Sequence, residues 1–187
     1  MFIFHVLCVK DNIIVCCIHA QLVNDKSVTV NLPFKKTYTP QQAMLKAASY
    51  CAYQERCYKE VEDKLSEWGI YGTDAGEIMI KLSEQNYLNE ERFAKAFAGG
   101  KFRVKKWGRN KIRMELKQRK ISDYCIKSGL AEIDDDVYLN TIQEVALDKW
   151  EQTKQPNIIA KRYKVYQYLA SRGFENELIQ PILKKLK

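Results

Sequence analysis

Three stretches of this chain repeat one another. YKEVEDKLSEWGI (58–70), RNKIRMELKQRKI (109–121) and RYKVYQYLASRGF (162–174) align with Val61, Ile112 and Val165 in register. Leu65, Leu116 and Leu169 follow four residues on, and Ile70, Ile121 and Phe174 nine residues on. The offsets of 51 and 53 residues define a unit of about fifty, the signature of a repeat architecture. Apolar residues four apart share one helix face. The eighth position holds Gly69, Lys120 and Gly173. Glycine there can take the left-handed conformation that ends a helix, a device the middle copy lacks.

Each unit reads as three helices. In the first, Thr39-Pro40-Gln41-Gln42 fits a capping box with proline at the first helical position, and predicts a helix through Ala43, Ala47 and Tyr50 to about residue 54. A second helix carries Val61, Leu65 and Trp68 and stops at Gly69; a third starts near Thr73 or Asp74 and carries Ile78, Met79 and Leu82. In the middle unit Asn89 caps a helix with Glu90 and Glu91 in its first turn. Its apolar stripe is Phe93, Phe97 and Val104, softened by Gly99 and Gly100. The next helix carries Ile112 and Leu116, and Ser122 caps a short third. In the last unit Tyr138, Ile142, Val145 and Trp150 form the first stripe, Pro156-Asn157 opens the second helix, and the third, about 175–186, contains Pro181, expected to kink it or delay its start.

A three-helix unit of this size gains stability by stacking on its neighbour. The expected fold class is therefore all-α, an elongated, curved array of three tandem three-helix repeats over 39–86, 87–132 and 133–187. Residues 1–38 form a short N-terminal extension. Val28, Val30 and Leu32 alternate with Thr29 and Asn31, which fits short strands; an ill-ordered extension, or a true start further downstream, is the alternative. The next methionine, Met44, lies inside the first predicted helix.

Composition narrows the function. No apolar run approaches the 18 residues of a membrane span, and the apolar start has neither a basic leader nor a small-residue cleavage site, so no membrane and no secretory signal are expected. The six cysteines (8, 16, 17, 51, 57 and 125) form no C-x-x-C pair and read as reduced thiols of a cytoplasmic protein. The two histidines, His5 and His19, both lie in the first twenty residues, and no nucleotide-loop or zinc-protease motif occurs. Glu60, Asp63 and Glu67 read as a solvated helix face, and Asp134, Asp135 and Asp136 as a helix start. We expect no catalytic residue, no cofactor and no metal.

Net charge is +8, and it is zoned. Residues 101–120 hold ten basic residues against Glu115 alone; residues 154–187 hold eight against two, and residues 121–153 hold two against eight acidic ones. Arg109, Arg113, Lys117 and Lys120 follow helical spacing as one stripe on the middle unit, with Lys101, Arg103, Lys105 and Lys106 just before it; Lys161, Lys164, Tyr168 and Arg172 form a second stripe on the last unit. Such stripes suit phosphates or an acidic protein surface. Trp68, Phe93, Phe97, Trp150 and Phe174 are expected in the core, and Trp107 packed beneath the basic stripe.

YLNEERFAKAF (87–97) followed by KFRVKKWGRNKIRMELKQRKI (101–121) resembles the signature of the RecX family, regulators of the RecA recombinase. The matching residues are Leu88, Glu90, Glu91, Arg92, Phe93, Ala94, Gly108, Ile112, Leu116 and Ile121, while Lys120 replaces the usual glycine. The likeness covers about residues 39–187, and that family too is built from three-helix repeats. It implies a cytoplasmic protein that binds the RecA filament on DNA and restrains recombination, strand exchange and the SOS response; beside it stand the expectations of a non-enzyme, from the residues, and of a monomer. Phe93 and Ala94 of the motif read as packing. The interface expected from charge is Lys101, Arg103, Lys105, Lys106, Arg109, Arg113, Lys117, Lys120, Lys161, Lys164 and Arg172, meeting RecA or single- or double-stranded DNA. The alternatives are a basic helical-repeat DNA-binding protein and a generic protein-interaction scaffold.

Overall fold

The computed structural model describes residues 38–186. The readings made for residues 1–37, including strands, both histidines and three of the cysteines, lie outside them. Among the described residues there are nine helices and no strand: α1 (Pro40–Tyr53), α2 (Tyr58–Glu67), α3 (Gly72–Glu84), α4 (Glu90–Lys105), α5 (Arg109–Gln118), α6 (Asp123–Ala131), α7 (Asp135–Gln152), α8 (Ile158–Ser171) and α9 (Asn176–Lys185). They pack in threes, α1–α3, α4–α6 and α7–α9.

Local chemistry sets most of the boundaries. Thr39 and Gln42 make the reciprocal capping box, with Pro40 at the first position. Asn89, Ser122, Asp134 and Asn157 each accept a backbone N–H of the first turn of α4, α6, α7 and α8.

The aligned positions make the same structure three times. Ile70, Ile121 and Phe174 donate N–H to Leu65, Leu116 and Leu169, while Gly69, Lys120 and Gly173 donate to Ser66, Lys117 and Ala170. These paired bonds close the ends of α2, α5 and α8 as Schellman motifs. The middle one forms without glycine: Lys120 takes φ 60° beside 82° at Gly69 and 86° at Gly173. The left-handed conformation costs a lysine about 1–2 kcal/mol. Val61, Leu65, Ile112, Leu116, Val165 and Leu169 are fully buried.

Three expectations need correction. Val104 continues the Phe93/Phe97 face of α4, but it is 76% exposed. The face buried along the whole helix is Ala94, Ala98 and Phe102, about 100° further round from Phe93. Gly129 of α6 approaches Ala94 so closely that a Cβ there would lie 2.7 Å from the Ala94 carbonyl oxygen. Secondly, α3 starts at Gly72 rather than at Thr73 or Asp74. Finally, of the two effects expected of Pro181 the delay does not occur: α9 begins at Asn176 and runs on through the proline to Lys185. The first turn is already formed where the proline withholds its N–H, so a single intrahelical bond is lost.

The hydrophobic cores do not follow the threefold repeat. Ala43, Ala47, Val61, Leu65, Ile70, Ile78, Leu82 and Leu88 form one core within α1–α3. A second core is continuous from Phe93 to Leu186, across α4–α9, and takes in Cys57 from the first unit. The rings of Phe102, Tyr138 and Phe174 meet in sequence at tilted angles of 42° and 54°, 5.6 and 5.8 Å between centroids, and join the second unit to the third.

Candidate interaction surface

Two buried residues fix the orientation of α5. Ile112 and Leu116 face the core, so Asn110, Arg113, Met114, Lys117 and Gln118 face out and line a shallow concavity. Arg113 donates to Asn110 Oδ1 at 2.9 Å, and Lys117 makes an exposed ion pair with Asp123 at 3.2 Å. Both heads remain open to solvent. The exposed thioether of Met114 lies on the same face beside them, adding an adaptable apolar element to the basic heads. Asn110, Met114 and Gln118 were absent from the residues expected by charge. Asn110 lies three residues from Arg113, Met114 three from Lys117 and Gln118 four from Met114; that spacing carried the signal, but counting charges overlooks neutral members of a face.

The start of α5 serves another purpose. Gly108 has no side chain to cap the helix, and the third unit supplies the acceptors instead. Gly108 N–H donates to the Arg172 carbonyl at 2.8 Å and Asn110 N–H to the Gly173 carbonyl at 3.1 Å. Arg109 N–H donates to the Tyr138 hydroxyl at 2.9 Å, and that hydroxyl donates to Glu175. The carbonyl end of α8 thus meets the amide end of α5, the favourable alignment of two helix dipoles. The Arg109 guanidinium lies 4.3 Å over the Tyr138 ring, donates to the Ile133 carbonyl and pairs with Asp135, leaving its side chain 22% exposed. Burial pushes the Tyr138 hydroxyl well above the usual phenol range, with the Glu175 hydrogen bond adding to the shift.

The other expected cations divide the same way. Arg172 donates to the Lys105 carbonyl and lies over the Tyr168 ring, tying the third unit to the second. Lys101 lies over the Phe97 and Trp107 rings, and Lys161 over Trp150 at 4.3 Å. Trp107 packs half-buried against the core with the ammonium groups of Lys101 and Lys111 on its ring. The Arg103 guanidinium folds back over Gly99, in space a Cβ would take. Arg103, Lys105, Lys106, Lys120 and Lys164 enter no ion pair among the described residues. Lys120 stands just past the end of α5, in its left-handed position, rather than on the helix.

The two stripes are not equivalent positions. In the repeat register set by Ile112 and Val165, Lys161, Lys164, Tyr168 and Arg172 correspond to Gly108, Lys111, Glu115 and Arg119. The α5 stripe and the α8 stripe therefore lie on different faces of their helices. The open basic surface is centred on α5 and the end of α4.

Arg92, a residue of the 87–97 motif, acts within the fold. It pairs with Glu55 at 2.6 Å and donates to the side-chain and main-chain oxygens of Asn86, binding α4 to the first unit. Asp134 caps α7, as its sequence position suggested. Among the described residues, no three His, Cys, Asp or Glu side chains converge as metal ligands, and no helix is long and apolar enough to cross a membrane.

Two family models match the chain, "RecX, second three-helix domain" over residues 89–130 and "RecX, third three-helix domain" over 136–183. These spans fall on α4–α6 and α7–α9. Among curated relatives, the "Regulatory protein RecX" of Lactobacillus gasseri is 31% identical over 153 residues, covering 81% of this chain and 56% of that protein. That of Leuconostoc mesenteroides is 24% identical over 145 residues, covering 78% and 54%. The chain thus spans just over half the length of these relatives. The crystal structure of RecX from Lactobacillus salivarius superposes with a TM-score of 0.70 at 24% identity, over 79% of this chain and 96% of that one. A second RecX crystal structure gives 0.72 at 21% identity, over 78% and 73%. Both share the fold.

Proposed function

The chain belongs to the RecX family, and from that premise we propose that it is a non-enzymatic regulator that binds the RecA filament on DNA and restrains recombinase and coprotease activity. In this reading it works in the cytoplasm as a monomer and modulates DNA repair and the SOS response. The observation that carries the reading is the outer face of α5, where Arg113 and Lys117 border Met114 and no part of the described chain covers them. Lys105, Lys106 and Lys120 extend the positive charge around it.

A face built only for phosphates has no use for an exposed thioether within it. Met114 favours a protein surface bearing acidic side chains, which we take to be RecA. The amides of Asn110 and Gln118 would suit DNA as well, and salt dependence separates the two partners.

The test is RecA-mediated strand exchange and ATP hydrolysis with the purified chain, then with Arg113→Glu/Lys117→Glu. The wild type should inhibit at amounts stoichiometric with RecA. The double variant should lose inhibition with its melting temperature nearly unchanged, because exposed substitutions of this kind usually move stability by less than about 0.5 kcal/mol each. If the stripe held phosphates, its log–log salt slope on naked DNA would fall by about 1.4–1.8. We expect that slope to stay while filament binding falls. No inhibition by the wild type would end the proposal.

A further inference from the structure

We propose that the array moves as two bodies, with α1–α3 rocking against a rigid α4–α9 body about a pivot at Cys57 and Arg92 as the latch. The inference is independent of the partner proposed above. It comes from a contrast between the two junctions of one repeat.

At the junction of the second and third units the backbones touch. A Cβ on Gly108 would lie 2.2 Å from the Gly173 carbonyl carbon and oxygen, and one on Gly173 would lie 2.4 Å from Lys111. Two main-chain hydrogen bonds cross this contact, and the core runs through beneath it. Neither unit can turn without breaking all three.

At the junction of the first and second units the same two positions are filled differently. In the repeat register Cys57 stands for Gly108 and Lys120 for Gly173. Side chains stand where the other junction has glycines, and α2 caps itself: the Glu60 carboxylate accepts the Cys57 N–H, and no carbonyl of the second unit does. What crosses here is charge. Arg92 reaches Glu55 and Asn86, and Arg119 reaches Glu60 at 3.7 Å. Cys57, 1% exposed, is the residue of the first unit that enters the second core.

The space around the pivot is under-filled. A cleft of about 460 Å³ opens between the units, lined by Glu55, Glu60, Phe97, Gly100, Val104 and Arg119. Of the three buried side-chain polar atoms without a hydrogen-bond partner among the described residues, two lie beside it in sequence, Glu55 Oε2 and Arg56 Nε. Packed cores are bistable and resist bending, whereas a polar junction with free volume and long charged side chains can re-form in more than one geometry.

Spin labels on ketone-bearing amino acids introduced at Glu62, Lys127 and Gln167, one exposed site per unit, leave the native cysteines untouched. Pulsed electron–electron resonance on the full chain then reads the 62–127 and 127–167 distance distributions. We expect the 62–127 distribution to be about twofold broader than 127–167 and to widen further in about 1 M salt, where the Debye length falls from about 10 Å to about 3 Å. Arg92→Ala should widen it again, with helix content retained and 127–167 unchanged. The proposal is overturned if 62–127 stays as narrow as 127–167 in both high salt and Arg92→Ala. It is also overturned if 127–167 widens in step.

Discussion

Adding one methyl group at Gly108 should separate two units of this protein. Gly108 has φ −75°, so alanine meets no backbone penalty there, and the cost is entirely one of space. The new Cβ would fall 2.2–2.3 Å from three backbone atoms of Gly173 and Phe174, none of which can rotate away. The end of α8 must retreat by more than an ångström. That strains or breaks the hydrogen bonds to the Arg172 and Gly173 carbonyls, at about 0.5–1.5 kcal/mol each, and adds an overpacking cost of about 1–3 kcal/mol. The sum is about 2–6 kcal/mol, or about 4–24 °C in melting temperature for a chain of this length. Gly100→Ala is the control. It is the same change in the interior of α4, but its Cβ meets nothing within 4 Å, so it should stabilise by about 0.4–1 kcal/mol. Urea unfolding followed by tryptophan fluorescence suits the comparison, since Trp107 and Trp150 belong to the core that Gly108 seals. A loss below about 1 kcal/mol for Gly108→Ala would show that the junction yields, and the rigid α4–α9 body would go with it.

Three further outcomes follow from the same contacts. Lys120→Gly relieves a left-handed lysine and should raise stability by about 0.5–1 kcal/mol in thermal melts, part of the strain relief being offset by the freer unfolded chain. Tyr138→Phe removes both the cap on the Arg109 N–H and the bond to Glu175, and should cost about 1–3 kcal/mol by urea titration. Burial raises Tyr138 and lifts the Cys51 thiol to about 11, so the folded state holds both protons more tightly than the unfolded one. Their contribution is complete below the unfolded pKa values and fades as pH rises through the folded ones. Stability should therefore decline from about pH 9 upward, less steeply in Tyr138→Phe.

How much could be read without coordinates depended on whether a feature was local. Thr39 with Gln42, Asn89, Ser122 and Asp134 are contacts across three residues, and each forms as its spacing indicates. The Val/Leu and Ile/Leu pairs of the repeat are buried because helical periodicity alone puts them on one face. Even Lys120 obeys the repeat against its own propensity, because Ile121 must return to the core and the chain has no other way to turn it. Val104 failed because α4 buries a second face against α6, and a single stripe cannot reveal which of two faces is covered for its whole length. The candidate surface was harder for the same reason. A cation in sequence is only a charge, and whether it meets solvent depends on rings and carbonyls 24–67 residues away, as for Arg109 and Arg172.

Charge patterning therefore mixed two roles. Arg109, paired with Asp135, and Arg172, bonded to the Lys105 carbonyl, bridge the second and third units, Arg92 latches the first to the second, and Arg113 and Lys117 face outward. Substituting all of these together would lower stability and binding at once and assign neither. Arg109→Ala alone should destabilise by about 1–3 kcal/mol, since it strips a half-buried guanidinium from the Ile133 carbonyl, Asp135 and the Tyr138 ring. Its effect on partner binding should vanish once temperature is lowered enough to restore the folded population. Arg113→Glu/Lys117→Glu should show the reverse, a binding loss that cooling does not recover. Binding titrations at two temperatures, each matched to a melt, distinguish these outcomes. A temperature-independent binding defect in Arg109→Ala would return that residue to the outer face.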